Sequence, residues 1–362
     1  MTNQKTYKTI LITGGAGFVG SNLAVAFKKK YPESIVIALD NLKRRGSEMN
    51  VYRLQQSEIE FLHGDIRNVE DLKFTFPVDL LIECSAEPSV LAGYEAGITY
   101  QINTNLVGTI HCLELAQRDN SDVIFLSTSR VYPYDALNSI EVVEDHTRFI
   151  WKNDPMNKIL GWSVNGIDTN FSLNGPKSIY GATKLCSELL IQEYIAMNKI
   201  RAVINRCGVI TGPWQFGKID QGVFSLWMLS HYFKKNLSYI GFGGTGKQVR
   251  DLLHIDDLFE LLCVQLENMS LANGKIYNVG GGVKSNLSLC ETTRLCENIT
   301  GNKIKISADP VNRSGDVKIY ISDNNTAIQD FSWYPKITAE KTLSDIFNWI
   351  KTNENDMARL FN

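Results

Sequence analysis

Thr9-Ile10-Leu11-Ile12-Thr13 is apolar and β-branched, and it breaks at once into Gly14-Gly15-Ala16-Gly17-Phe18-Val19-Gly20. Such a run ahead of a glycine turn reads as a buried parallel strand. A helical pattern follows over 21–30, so the glycines sit between strand and helix. There they permit a tight turn, close backbone approach to a pyrophosphate and close packing of helix on strand, with phosphate at the positive helix end. A second strand, 35–39, ends at Asp40, twenty residues after Gly20, where an acid would bind an adenosine ribose diol. Strand, glycines, helix, strand and acid together predict a dinucleotide-binding unit. Its expected contacts are Gly14, Gly17, Phe18, Val19, Gly20, Asp40 and Asn41. Asp40 argues for NAD, while Lys43, Arg44 and Arg45 behind it could instead take the extra phosphate of NADP.

Working outward, strands and helices keep alternating. Strand 59–62 runs into His63-Gly64-Asp65-Ile66-Arg67, where Asp65 either reaches the adenine or caps the following helix. Strand 80–84 ends in Ser85-Ala86-Glu87-Pro88-Ser89, a loop expected beside the cofactor. A helix over 103–117 carries Asn105, which either fixes backbone near the site or is a plain polar helix position. Strand 123–126 ends in Ser127-Thr128-Ser129-Arg130-Val131-Tyr132. Hydroxyls at the carboxyl end of a parallel strand point into the ligand crevice, so Thr128 is the candidate to hydrogen-bond a reacting oxygen. Residues 138–177 are irregular and rich in Asn and Gly, and read as an active-site loop or lid.

Ser178-Ile179-Tyr180-Gly181-Ala182-Thr183-Lys184 opens a helix over 178–197, with Leu185, Leu189, Leu190 and Tyr194 at helical spacing. Tyr180 and Lys184 then share a face one turn apart. A phenol is a poor base near neutrality, and a neighbouring ammonium draws its pKa toward the working range. Such pairs also occur by chance, so the pair gains meaning only from the dinucleotide signature before it.

Strand 202–205 ends in Arg206-Cys207-Gly208, after which glycine-rich and aromatic-rich loops mark a smaller substrate-holding portion. The expected division is 1–205 for the cofactor, including the loop 138–177, and 206–362 mainly for the substrate, with some segments returning to the first sheet. Lys247, Arg250 and Arg313 suit a diphosphate, since guanidinium matches phosphate bidentately. Alternatively they are arginines paired with Asp251 and Asp316. His254 receives no catalytic role.

The chain has 362 residues, 44% of them hydrophobic, and 37 basic against 39 acidic residues for a net charge of −2. That balance offers no electrostatic handle for nucleic acid or an anionic membrane. No apolar run approaches the roughly 20 residues of a membrane span. No secretory signal is visible, and a cytoplasmic protein is expected. The seven cysteines are scattered singly without a CxxC pair, so neither a disulfide framework nor a metal site is expected.

Taken together, TGGAGFVG, GDIR, NLVGT, STSRVY, YGATK, GKQVRDLLHIDD, YNVGG and NRSGD resemble the extended short-chain dehydrogenase/reductase superfamily, in particular its nucleotide-sugar epimerases and dehydratases. The resemblance covers nearly the whole chain. It implies an α/β fold: a doubly wound, Rossmann-type parallel sheet with a smaller C-terminal α/β substrate domain. It implies tightly bound NAD, a homodimer, and Tyr180 as base with Lys184 and Thr128 as partners. Lys43, Arg44, Asp65, Ile66, Ser85, Ala86, Asn105, Ser127, Tyr180, Lys184 and Cys207 complete the implied cofactor set. For the substrate it implies Glu87, Ser129, Arg130, Arg206, Gln215, Gln221, Lys247, Gln248, Arg250, Arg313 and Asp316. Dehydratases of this family place Asp-Glu after the catalytic Thr, and the related decarboxylases a Glu at the second place. Ser129-Arg130 stands there instead, against both reactions. The 4-epimerases of UDP-galactose carry Arg-Tyr-Phe-Asn where this chain has Arg206-Cys207-Gly208-Val209. STSRVY, Gln215-Phe216, Asp220-Gln221-Gly222 and 246–251 are most similar to 2-epimerases of CDP-linked hexoses. The loop 87–93 departs from them and leaves the sugar open. A 4-epimerase or a net keto-sugar reductase would use the same catalytic residues.

Overall fold

The computed structural model describes residues 6–90, 97–153, 159–217 and 221–361. Strands β1 (Thr9–Thr13), β2 (Ile35–Asp40), β3 (Glu60–His63), β4 (Leu80–Glu83), β5 (Asp122–Thr128), β6 (Arg201–Cys207) and β7 (Ile276–Val279) form one sheet. Their order is β7-β6-β5-β4-β1-β2-β3 and every pairing is parallel. Side chains alternate across a strand, so burial on both faces needs the unbroken apolar runs seen here. Ile10, Ile12, Val36 and Ala38 pack with Leu23 and Phe27 of α1 (Phe18–Lys30) and Leu258 and Leu262 of α4 (Ile255–Glu267). Leu11, Ile37 and Phe125 pack on the other face with Leu113 and Ala116 of α2 (Gly108–Asp119) and Ile191 of α3 (Ile179–Ala196). The sheet is therefore doubly wound. Its order reverses between β1 and β4, which opens a crevice at their carboxyl ends.

Position 205 falls inside β6, and β7 and α4 return to the first sheet from beyond it. After Gly208 the chain enters a smaller sheet of Val209–Thr211, Val249–His254, Asn286–Ser288 and Ile319–Tyr320. Phe224, Met228, Leu343, Ile346 and Ile350 pack beneath it, the last three on α5 (Ala339–Thr352). A further helix, Glu354–Phe361, follows the helix expected to close the chain.

Residues 138–177 are more ordered than their composition suggests. They contain two small antiparallel hairpins, Val142–Glu144 with Phe149–Trp151 and Trp162–Ser163 with Gly166–Ile167. Phe149, Trp151 and Ile167 are buried with Val249, Val317 and Ile319, so tertiary burial orders a segment that lacks a local periodic signal. Residues 154–158 of this segment lie outside the described residues, as do Asp220 and 91–93. Among the described residues no helix is long and apolar enough to cross a membrane, and no group of His, Cys, Asp and Glu could hold a metal ion.

Candidate active site

A cleft of about 600 Å³ lies over the carboxyl ends of the first sheet. Gly14 takes φ +63°, and a Cβ there would meet the Cys84 carbonyl oxygen at 3.0 Å. On Gly20 a Cβ would come within 2.2 Å of the Gly14 carbonyl oxygen, so glycine is what lets α1 dock on the turn. The first turn of α1 carries no acidic residue and no side-chain cap, while Lys28, Lys29 and Lys30 occupy its last. Its leading amides, near Gly17, Phe18 and Val19 in the cleft wall, are left for an anion. These features fit the diphosphate of a dinucleotide.

Asp40 lines the cleft and also holds its floor, accepting from Ala16 N at 3.0 Å and Leu42 N at 2.8 Å. Burial pushes its carboxyl above the ordinary range. Asn41 donates to Asp65 at 2.9 Å and Arg67 pairs with Asp65 at 2.5 Å. Burial opposes ionisation of Asp65, but these partners outweigh it and hold the carboxyl at about 2. Asp65 caps no helix; Asn68 caps the turn Val69–Leu72 instead. Ile66, Ser85 and Ala86 line the same cleft. Lys43 Nζ lies 3.1 Å from the centroid of the Tyr100 ring, a cleft residue with no local sequence signal. Arg44 donates to Gln221 Oε1 and to the Phe216 carbonyl, tying the cofactor side to the substrate side.

At the nicotinamide end expected from the motifs, Ser178 caps α3 by accepting from Gly181 N at 3.2 Å. A Cβ on Gly181 would sit 2.0 Å from the Arg130 carbonyl oxygen, so α3 presses directly on the turn after β5. That contact brings Tyr180 beside Thr128. Burial pushes the phenol up to about 12, and a hydrogen bond with Thr128 works against it. Lys184 follows one turn further along α3. It is 1% exposed beneath the cleft, with Nζ 3.3 Å from Glu83 Oε2 and 3.9 Å from the Phe125 ring centroid.

Three expected contacts have their polar groups engaged within the protein. Asn105 is fully buried, accepting from Glu87 N at 2.8 Å and donating to Glu87 O at 3.1 Å and Thr183 Oγ at 3.2 Å. It fastens the loop after β4 to α3 and does not line the cleft. Arg206, expected at the substrate, is 3% exposed and pairs with Glu188 at 2.7 Å behind the cleft wall. Its Nη1 also donates to Tyr132 Oη at 3.2 Å, and Ser127 donates to Glu188 at 2.5 Å. A buried guanidinium requires such a partner, and Glu188 supplies it. Gln215 lines the cleft, but its amide is engaged within the protein, accepting from Thr211 at 2.7 Å and Ser225 at 2.8 Å and donating to Ile210 O at 3.1 Å. Cys207 lines the cleft as a neutral thiol, pushed by burial up to about 12.

A second cavity, of about 670 Å³, shares Val90, Arg130, Val209, Gln221 and Gly222 with the first. Arg130 reaches both and donates to the Gly315 carbonyl at 2.8 Å. Arg250, Arg313, Gln248 and Asp316 line this cavity. Arg250 lines the cavity while paired with Asp316 at 2.5 Å. Gln248 Oε1 is buried and without a partner. Lys247 lies outside these walls, held by Glu144 at 2.8 Å. Ser129 and Glu87 stand in the cofactor cleft, Ser129 also bordering a recess of about 40 Å³ walled by Tyr132, Tyr134 and Tyr320.

Comparison with known proteins agrees with this geometry. The model of the NAD dependent epimerase/dehydratase family matches residues 10–280. CDP-paratose 2-epimerase of Salmonella typhi is 30% identical over 351 residues, 94% of this chain and 98% of that protein. A putative UDP-glucose 4-epimerase of Methanocaldococcus jannaschii is 28% identical, covering 95% of this chain and 99% of its own length. A solved dTDP-glucose 4,6-dehydratase from Bacillus anthracis, in complex with NAD, shares the fold with TM-score 0.74 at 24% identity. That match covers 97% of this chain and 99% of the other.

Proposed function

This chain belongs to the NAD dependent epimerase/dehydratase family and is an NAD-dependent enzyme, and from that premise we propose that it epimerises a CDP-linked hexose at carbon 2. The observation that carries the reading is the junction of the two cavities. Tyr180 and Thr128 stand in the cleft on one side, Arg250 and Arg313 in the cavity on the other, and Arg130 reaches both. The glycine turn and Asp40 would hold NAD in the cleft, where it would supply the hydride acceptor and donor. Tyr180 takes the proton of the sugar hydroxyl as the adjacent carbon becomes planar. Thr128 hydrogen-bonds the oxygen while charge develops on it. After the keto-sugar has turned and the carbon is reduced on its opposite face, Tyr180 gives the proton back to the sugar oxygen. Arg250 and Arg313 hold the diphosphate throughout. Arg130 stands where elimination of water would need a carboxyl group, and a guanidinium neither gives nor takes a proton at working pH. The similarity to CDP-paratose 2-epimerase supports the CDP-sugar and carbon 2. The proposed active unit is a homodimer that keeps its NAD bound between turnovers.

The test is NMR of the purified protein with CDP-, GDP- and UDP-hexoses in deuterated water, with and without added NAD. A carbon-2 epimer of a CDP-sugar, free of solvent deuterium, is expected. A carbon-4 epimer would move the reacting carbon, and conversion only with added NADH would replace epimerisation by net reduction. Deuterium at the inverted carbon would refute hydride return.

A further inference from the structure

The helix Glu354–Phe361, which lies beyond the helix expected to close the chain, supplies part of the wall of the second cavity. Met357, Leu360 and Phe361 stand three and four residues apart and so share one face. Met357 is 1% exposed and fixes that face on the core of the smaller portion. A row of rings holds the end of the helix. Phe361 lies 5.8 Å from the Phe233 ring, Phe233 lies 5.0 Å from Tyr232, and Tyr232 lies 5.9 Å from Phe347 of α5. Phe361 is only partly buried by this row, and it lines the cavity.

The strand Leu237–Ile240 sets the distance from that ring to the cations. It begins four residues after Phe233, and its Leu237, Ser238 and Ile240 all line the cavity. At its far end the Ile240 carbonyl accepts from Gln248 Nε2 at 3.1 Å, two residues before Arg250. Asn312, the neighbour of Arg313, accepts from Phe242 N at 2.6 Å, so Arg313 stands at that end as well. Three steps of extended chain cover about 10 Å. The cavity therefore has an arginine end and an aromatic end, separated by the span of a ribose and a base.

We propose that Phe361 is a substrate-binding residue whose ring stacks on the nucleobase while Arg250 and Arg313 hold the diphosphate. The inference rests on the reading that this cavity takes the nucleoside diphosphate of the sugar. Every base has a π face, so a stacked ring adds affinity without choosing among bases. Lys235 and Asn236 border the same end and offer polar groups to the edge of the base.

The experiment is calorimetry of the full chain loaded with NAD, so that the cofactor cleft is filled, titrated with CDP, UDP and pyrophosphate. Phe361→Ala is expected to weaken CDP and UDP by the same factor, about tenfold, and to leave pyrophosphate unchanged. Phe361→Leu keeps apolar packing against Phe233 and is expected to lose nearly as much, whereas Phe361→Trp binds at least as tightly as the wild type. An unchanged CDP affinity in Phe361→Ala would overturn the proposal. Equal weakening of CDP and pyrophosphate would also overturn it, because the helix would then shape the whole cavity instead of holding the base. Wild-type affinity in Phe361→Leu would reduce the ring to apolar packing and remove the stacking. A wild type that binds neither nucleotide would sink the reading of the cavity together with this inference; a wild type that binds both beside an unaltered Phe361→Ala sinks the inference alone. No sugar is converted in these titrations, so the outcome is independent of the proposed epimerisation at carbon 2.

Discussion

Arg206 and Asp251 show how burial reassigns a residue's work. Arg206 is a plausible phosphate ligand by type, yet its guanidinium closes on Glu188 out of reach of solvent. Truncating one member of such a pair leaves the other charged and alone, at a cost of about 3–5 kcal/mol. Arg206→Met is therefore expected to lose stability of that order in urea denaturation while KM for the sugar changes by less than about twofold. A raised KM at unchanged stability would return Arg206 to the substrate. Asp251 is fully buried, with Oδ2 accepting from Gly282 N at 3.1 Å and Ser322 N at 2.9 Å, and burial pushes its carboxyl up to about 6. As pH rises from about 4 to 6, the unfolded chain gives up this proton before the folded one does. The group therefore favours folding less as pH rises. Asp251→Asn should gain on the wild type by on the order of 2–3 kcal/mol between about pH 4 and 7 in paired denaturation curves. Parallel curves at both pH values would show that the carboxylate ionises without penalty.

At the scale of elements, the helix expected over 103–117 begins earlier and is not uniform. It runs as Ile98–Ile102, a π-helical stretch Asn103–Val107 and then α2. Wide turns of this kind recur at functional sites. Here the turn carries Asn105 among Glu87, Thr183 and Ser187, whose hydroxyl donates to Asn105 O at 3.0 Å. One residue thus joins the loop after β4, the wide turn and α3. Asn105→Ala would leave the Glu87 N–H without its acceptor, and NAD affinity by calorimetry is expected to fall about tenfold, or about 1.4 kcal/mol. An unchanged affinity would mean that Gln101, which donates to Glu87 O at 3.1 Å and Ser89 O at 2.8 Å, holds the loop by itself. Periodicity announced the helix; it could not announce the wide turn, because a π stretch depends on which neighbours its side chains find.

For the molecule as a whole, the site is a junction between two sheets of different size, joined where β6 passes through Gly208. A Cβ at Gly208 would lie 2.6 Å from Asp251 Oδ1, so the two layers meet there without room for a side chain. The outer surface of α3 presents Leu189 at 56% exposure, with Met197 just past its end at 53%. That surface, together with Ile98 at 45%, suits the proposed two-fold pairing of helices. Light scattering at micromolar concentration is expected to give twice the chain mass, and Leu189→Glu to shift the population toward monomer. A wild-type monomer would remove the dimer from the proposal.

The βαβ unit and the position of the cleft were legible in the sequence because both follow from local rules. An apolar run, three spaced glycines and an acid at the next strand end specify one turn geometry wherever they occur. The Tyr180 and Lys184 spacing likewise fixes their placement on one helix. What each polar side chain meets depends on contacts between residues far apart in the chain. Glu83 is 101 positions from Lys184, and Glu188 and Asn105 engage partners on other elements. Burial then made those contacts obligatory, since a charge or amide removed from water must find a partner. Local pattern set the fold and the cleft; only the tertiary structure decided which charges face a ligand and which are held by one another.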